Sequence, residues 1–163
     1  MPRATQFGPA QQTRQRLQAG TIKIQPEVVG SRPFNYPILV QPVLDKNCVG
    51  CHQKNADKKA PDLSKGNYEK NPHFWYTSYI NLRQYSFHYD DPHFDSARTV
   101  PGKFGARVSK LYQMLAKGHH EVKLTPEEMH RLTLWLDSNS DFFGSYENTK
   151  EQADGKVVKP KLE

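Results

Sequence analysis

The two cysteines of this 163-residue chain, Cys48 and Cys51, stand three positions apart, and His52 follows the second directly. Cys-x-x-Cys-His is the attachment signature of c-type haem. The reason is geometric, because residues i, i+3 and i+4 share one face of a helical turn. Two thiols on that face can form thioethers with the two vinyl groups of one porphyrin, while the imidazole points at the iron from the same side. The motif therefore predicts one haem c, attached through Cys48 and Cys51, with His52 as an axial ligand.

Three other chemistries of paired cysteines stay open at this point, although each fits the sequence less well. A thioredoxin-like redox site needs a strand-to-helix setting within a βαβ pattern, and the sequence has no such pattern. A zinc site needs four ligands, so two distant histidines would have to join the two cysteines. A disulfide across three residues has poor geometry.

A proline and a leucine follow the motif in the stretch "KKAPDL". A metal-ligating histidine usually donates its second ring nitrogen to a carbonyl, which fixes the orientation and basicity of the ring. In small c-type cytochromes a Pro-x-Leu stretch at this place carries that carbonyl and packs its leucine on the haem. Pro61 and Leu63 fit this role, and the alternative is an ordinary turn proline.

The sixth iron ligand is expected in "LAKGHHEVKL", the segment that precedes the last predicted helix. Continuing the preceding helix at 100° per residue puts His119 about 40° from Leu115 and His120 about 140° away. His119 is therefore the predicted distal ligand and His120 the alternate. Two histidine ligands would make the iron low-spin and lower its potential relative to a His/Met pair. Met129 is better explained as core, Met114 as core or surface filler, and His130 as solvent-facing. The other histidines stay open as candidates, namely His73, His88 and His93.

Two helices are predicted in the C-terminal half. A helix over about 126–138 opens with a capping box formed by Thr125 and Glu128. A helix over about 108–115 carries apolar residues at i, i+3, i+4 and i+7, and Gly118 follows as a stop signal. These two helices flank the segment that holds the predicted distal ligand.

Two weaker patterns predict helices in the N-terminal half. One spans about 41–51, where Pro42 weakens the early part, and the other spans about 72–84, where Asn71 can cap and Pro72 suits the first turn. With no strand pair in the pattern, the sequence predicts an all-α fold. The expected architecture is a c-type cytochrome-like helical domain around one covalently attached haem, with extended polar termini.

Composition sets the predicted domain limits. Hydrophobic residues make up only 36% of the chain, so a bulky apolar cofactor is expected to supply part of the core. Residues 1–30 are predicted to be a linker or extended arm, residues 31–146 the haem domain, and residues 147–163 a polar mobile tail. The stretch "HYDDPHFD" could attract a cation, but short polar loops of this kind are usually solvated turns.

Charge and hydropathy limit the partners. The net charge is +6, but the basic residues are scattered, so nucleic-acid binding is not predicted. The positive charge favours solubility and would steer the chain toward an acidic partner. No stretch approaches the roughly 20 apolar residues of a membrane span. No apolar segment follows Met1, yet such a haem site is normally assembled outside the cytoplasm. We therefore expect a periplasmic or other extracytoplasmic location, with the export signal removed or an upstream region outside this sequence.

Two long phrases, "PFNYPILVQPVLDKNCVGCH" and "GKFGARVSKLYQMLAKGHHEVKLTPEEMHRLTLWLDSNSDFFGSY", resemble in their order the C-terminal cytochrome c region of hydrazine synthase alpha-subunit-like proteins. The resemblance covers about residues 30–146. It implies an electron-transfer haem with histidine on both sides, His52 proximal and His119 distal, with His120 as the alternate. In that family the chain is larger, other haems precede this region, and the reaction takes place at one of them. The motifs that carry the resemblance are Gly118-His119-x-x-Val122-x-Leu124, Trp135-x-Asp137-x-Asn139 and Gly144-x-Tyr146.

The sequence thus predicts an electron-transfer domain rather than an enzyme, belonging to a larger multihaem redox protein. Its partner would be a redox protein or a neighbouring haem domain. One alternative is a haem enzyme or gas sensor whose sixth iron position is open or labile. Another is a structural interaction module in which the haem only stabilises the fold.

Overall fold

A computed structural model of the protein describes residues 34–54, 60–86 and 102–159. Within these ranges the chain forms helices and no strands, so the predicted all-α class is confirmed. None of the helices found there is long and apolar enough to cross a membrane. The predicted arm over 1–30 and the "HYDDPHFD" stretch lie outside the described residues. The helices are α1 (Tyr36–Leu39), α2 (Gln41–Asn47), α3 (Val49–Lys54), α4 (Thr77–Leu82), α5 (Lys110–Lys117), α6 (Pro126–Asp137) and α7 (Thr149–Ala153), with 3₁₀ turns at Tyr68–Lys70 and Ala106–Val108.

The helix predicted over 41–51 is present, but it starts earlier and consists of three short pieces. Asn35 caps α1, its side-chain oxygen accepting a hydrogen bond from the Ile38 backbone N–H at 3.0 Å. Pro42 lies in the first turn of α2, where its missing N–H does no harm, whereas it could not continue α1. A second break falls at Cys48, whose φ is −123°. The cysteine motif, residues 48–52, therefore lies at a junction between two helices.

The helix predicted over 72–84 begins five residues late. The Asn71 side chain accepts a hydrogen bond from the His73 backbone N–H at 2.8 Å, which makes a local turn rather than a helix cap. Phe74 then takes a positive φ of 55°, which a right-handed helix does not allow. Helix α4 accordingly runs only from Thr77 to Leu82.

The two C-terminal predictions are close to the structure. The Ser109 hydroxyl caps α5 by accepting from the Tyr112 backbone N–H at 3.0 Å, and Gly118 ends the helix. Helix α6 has the predicted capping box, in which Thr125 and Glu128 each accept a hydrogen bond from the other's backbone N–H.

An aromatic cluster holds α1, α4 and α6 together on one side of the fold. The Tyr36 ring is fully buried, and its centroid lies 5.2 Å from those of both Tyr79 and Trp135 and 5.5 Å from that of Phe142. The pairs with Tyr79 and Trp135 are edge-to-face and the pair with Phe142 is stacked, and such contacts add to the free energy gained by burying the rings. The cluster forms a rigid base against which the rest of the core is built.

The prediction of a mobile tail from residue 147 is wrong for residues 149–158. Helix α7 forms there, with Gln152 and Ala153 buried, and Val158 is buried after it. The Tyr76 hydroxyl donates a hydrogen bond to the Ala153 carbonyl. The segment is polar in sequence, but a few small or polar side chains suffice to anchor it because their hydrogen bonds are satisfied.

Glu128 links α6 to the end of α2, one residue before the cysteine motif. One carboxylate oxygen accepts from Lys46 Nζ at 2.8 Å and from Asn47 Nδ2 at 3.2 Å, and the other accepts from the Thr125 backbone N–H at 2.8 Å. The Glu128 side chain is only 12% exposed. Lys46 first, and then the Thr125 N–H, lower the pKa of Glu128 to about 2.

We predict that replacing Glu128 with Gln destabilises the fold and removes part of its acid sensitivity. The lowered pKa means that the charged form stabilises the folded state fully above about pH 4.5, and that this contribution is lost as the pH falls toward about 2. The expected loss at pH 7 is about 1–2 kcal/mol. Urea unfolding between pH 2 and pH 7 measures both effects.

Glu127→Gln is the matched control, because Glu127 pairs with Arg131 at 2.9 Å within α6 and its side chain is 68% exposed. We expect less than about 0.5 kcal/mol from this change. Equal losses in the two variants would contradict the role of Glu128.

Candidate functional site

The cysteine motif is shaped by hydrogen bonds to the Cys48 carbonyl. This carbonyl accepts from the backbone N–H groups of Cys51 at 3.1 Å and His52 at 3.0 Å, which closes a helical turn over the motif. Cys48 is half-buried, Cys51 is exposed, and no disulfide joins them. The turn places Cys48 and His52 on the wall of an apolar cavity, with Cys51 on the outer side of the same turn.

The cavity is the main feature of the site. It holds about 710 Å³ of space between protein atoms, part of it open to solvent. Few polar groups reach it, and His52 and His119 are the two imidazoles among them. Tyr85 and Met114 also reach the wall. The apolar side chains that line it come from α2, α4, α5, α6 and the segments between them: Val43, Leu44, Leu63, Leu82, Leu111, Leu115, Leu124 and Leu132.

The predicted contact between His52 and Pro61 is present. His52 Nδ1 lies 2.7 Å from the Pro61 carbonyl oxygen. A carbonyl only accepts hydrogen bonds, so Nδ1 carries the hydrogen in this contact. Nε2 is then left with its lone pair, which is the form in which an imidazole binds a metal ion. Leu63 is buried and lines the cavity two residues further on.

His119 reaches the cavity from the segment that joins α5 to α6. Gly118 ends α5 with φ 96° and ψ 127°, so the chain turns sharply before His119. The centroids of the His52 and His119 rings are 6.2 Å apart, with an interplanar angle of 40°. Two imidazoles bound to one metal ion from opposite sides have centroids roughly 6 Å apart, since each bond is about 2 Å long and each ring adds about 1 Å. The spacing fits a single metal ion between the two rings.

The surroundings of His119 favour its neutral form. Burial lowers the pKa of His119, and the neighbouring His120 and His52 lower it further. A neutral imidazole keeps a lone pair for a metal ion, whereas a protonated one has none.

The other candidate ligands lie elsewhere, with one exception. His120 is exposed, has a φ of 50°, and faces a polar surface beside Lys46 and Cys51 instead of the cavity. Met114, which the sequence placed as core or filler, does reach the cavity wall. His73, Met129 and His130 do not line the cavity, and His88 and His93 lie outside the described residues.

The rival chemistries of the cysteines find no support in the described ranges. Within them, no three or more His, Cys, Asp or Glu side chains are grouped so as to hold a metal ion, which speaks against zinc. Burial, followed by the charge of Glu128, raises the pKa of Cys48 to about 11. A thioredoxin-like site needs the opposite, because a reactive cysteine has a lowered pKa.

The sequence reasoning missed two polar side chains beside the motif. Gln41 donates to the Leu63 carbonyl and Asn81 donates to the Asp62 carbonyl, so both hold the segment that follows Pro61. In the sequence, Gln41 is a polar residue on the apolar face of the predicted helix that leads to Cys48. A polar residue in that place signals a buried hydrogen-bonded group, although the sequence does not reveal its partner.

The residues present fit a covalently bound haem. The cavity is apolar, as the faces of a porphyrin require, and its wall carries the Cys48 thiol and the imidazoles of His52 and His119, while the Cys51 thiol lies on the outer side of the same turn. Comparison with family models matches the model described as cytochrome c to residues 40–140. That range contains both cysteines and both facing histidines. Comparisons with curated proteins and with solved structures gave no significant match.

We predict that replacing Gly118 with Ala strains the turn before His119. No atom lies within 4 Å of the added Cβ, so the penalty would come only from the positive φ. A residue with a side chain in such a conformation costs about 1–3 kcal/mol. Urea unfolding of the variant measures the loss.

Gly50→Ala is the control, because Gly50 also has open space around its Cβ position but lies in helix α3 without a positive φ. There we expect no loss, or a gain of up to about 1 kcal/mol. The same loss at both positions would show that the φ of Gly118 is not the cause.

Proposed function

Because the chain belongs to the cytochrome c family, whose domains bind haem covalently and transfer electrons, we propose that it carries single electrons through one haem c with two histidine ligands. Cys48 and Cys51 would form the thioethers, and His52 and His119 would be the axial ligands. The observation that supports this best is the pair of imidazoles facing each other 6.2 Å apart across an apolar cavity. When bound, the haem supplies the one-electron couple of its iron.

The chain's own residues bind, orient and insulate that couple. Pro61 fixes the tautomer of His52 through the 2.7 Å contact at Nδ1. Leucines on several helices make the cavity wall apolar, which lowers the local dielectric and strengthens electrostatic contacts there. Leu63 would pack against the ring of the cofactor. If His52 and His119 both hold the iron, the site would leave no coordination position for a substrate, which favours electron transfer over catalysis.

We predict that the unaltered holoprotein gives a low-spin spectrum with two nitrogen axial ligands. His119→Ala should convert the iron to a high-spin form that binds carbon monoxide readily when reduced, because the distal position is then open. His120→Ala is the matched control and should leave the spectrum unchanged. Visible and electron paramagnetic resonance spectra of the three proteins provide the test.

Three results would contradict the proposed ligands. If His120→Ala opens the iron and His119→Ala does not, the distal ligand is the neighbouring histidine. A sulfur-to-iron charge-transfer band in the unaltered protein would identify Met114, which also lines the cavity. Rapid carbon monoxide binding by the unaltered reduced protein would favour the haem enzyme or gas sensor.

We propose that partners approach beside the exposed Cys51. The surface there is lined by Lys123, His120 and Glu121, and by Lys46, whose ammonium group is paired with the Glu128 carboxylate. With the net charge of +6, this favours an acidic redox partner, or an acidic neighbouring haem domain, by electrostatic steering.

We predict that Lys123→Glu slows oxidation by an anionic probe more than oxidation by a cationic one. Ferricyanide is the anionic probe and hexaammineruthenium(III) is the cationic one. The rate of oxidation by ferricyanide, divided by the rate of oxidation by hexaammineruthenium(III), should fall a few-fold at low salt. The difference should fade as ionic strength rises, because salt screens exposed charges. Lys70→Glu, an exposed site outside the group that lines this surface, is the control. Equal effects at both positions would argue against this docking surface.

We also propose that the domain works outside the cytoplasm within a larger multihaem redox protein. Domains of this family are typically extracytoplasmic, and the resemblance to hydrazine synthase alpha-subunit-like proteins implies neighbouring haems. The haem domain would span residues 31–146 with helix α7 packed against it, and an arm over 1–30 would precede it. Electrophoresis of membrane, periplasmic and cytoplasmic fractions with haem staining would test the location.

A further inference from the structure

Five consecutive carbonyls follow the motif, and each accepts a hydrogen bond from a different donor. The Pro61 carbonyl lies 2.7 Å from His52 Nδ1. The next two carbonyls accept from side chains of two helices, Asp62 from Asn81 Nδ2 at 2.8 Å and Leu63 from Gln41 Nε2 at 3.2 Å. The last two, of Ser64 and Lys65, accept from the backbone N–H groups of Ser78 and Thr77 at 2.9 and 3.1 Å. The carbonyl that faces His52 is therefore the first in a segment fixed along its length.

Gln41 is the buried centre of this arrangement. Its side chain is fully buried, and its amide nitrogen donates both hydrogens, to the Leu63 carbonyl and to Asp45 Oδ1 at 2.7 Å. Its amide oxygen accepts from the Ser78 hydroxyl at 2.6 Å, and that hydroxyl accepts from the Tyr36 hydroxyl at 3.0 Å. Turning the amide over would break all three bonds of Gln41, so its orientation is unique.

We propose that Gln41 is a positioning residue for the haem ligand His52 and that it acts through the segment 61–63. This inference rests on the proposed function, in which His52 binds the iron. Without Gln41 the Leu63 peptide loses its donor, the segment relaxes, and the Pro61 carbonyl moves away from His52 Nδ1. A weaker hydrogen bond makes the imidazole a poorer electron donor to the iron, which favours the reduced state.

The test is the midpoint potential of the holoprotein with Gln41→Met, a change of similar size that removes the amide. We expect the potential to rise, with the equilibrium constant for reduction shifted roughly threefold to tenfold, which is about 28–59 mV for one electron. The resonance of the His52 Nδ1 proton in paramagnetic nuclear magnetic resonance spectra should shift as well.

The chain offers a matched control in Gln152, a second glutamine that is buried and fully hydrogen-bonded. Its amide nitrogen donates to the Ser145 and Glu147 carbonyls at 2.9 and 2.7 Å, and its oxygen accepts from the Gly144 N–H at 3.0 Å. Gln152→Met should lower stability in a similar way without changing the potential. An equal shift in potential for both variants, or no shift for Gln41→Met, would overturn the proposal.

A second variant covers the case in which Gln41→Met does not fold. Asn81→Leu removes the donor to the Asp62 carbonyl while leaving the Gln41 amide in place, and it should raise the potential in the same direction. An unchanged potential there, with Gln41→Met unfolded, overturns the positioning role.

If the unaltered protein shows no histidine ligation in its spectrum, the proposed function fails and this inference fails with it. If histidine ligation is present and only the potential stays unchanged, the positioning role alone is wrong.

Discussion

The hydrogen bond between His52 Nδ1 and the Pro61 carbonyl is the contact on which the rest of the site depends. It joins the cysteine motif to the segment that follows it, and it decides which ring nitrogen keeps a lone pair. The same segment brings Leu63 to the cavity wall and is held in turn by α2 and α4. A single donor–acceptor pair thus connects the chemistry of one imidazole to the packing of three helices.

The fold has two kinds of core, and α6 belongs to both. Trp135 packs into the aromatic cluster with Tyr36, while Leu132, one turn earlier, lines the apolar cavity. The aromatic cluster is closed by ring-to-ring contacts and gives the helices a rigid base. The cavity side is built mainly of leucines, which line an opening and belong to the same continuous apolar core. This explains how a chain with a low hydrophobic content can form a domain, because a large apolar cofactor would complete that half of the core.

Buried polar groups give this small domain its specific geometry. Gln41, Ser78 and Tyr36 form a chain of hydrogen bonds in which every group named has a partner, and Glu128 links α6 to the residues just before the motif. Such networks are costly to disrupt because a buried donor or acceptor without a partner loses its hydration. They therefore define where the Pro61 carbonyl and Cys48 lie, whereas leucine packing alone would tolerate small shifts.

The sequence by itself determined the features that depend on a few neighbouring residues. Cys48, Cys51 and His52 have a spacing that one helical turn explains, and the capping box of α6 needs only Thr125 and Glu128. Other features depended on contacts between distant segments. Helix α7 is anchored by Tyr76, which belongs to a segment far away in the chain. The choice between His119 and His120 was of the same kind. Only the tertiary structure decided which ring faces the cavity, because the turn at Gly118 and the position of His52 across the cavity set it together.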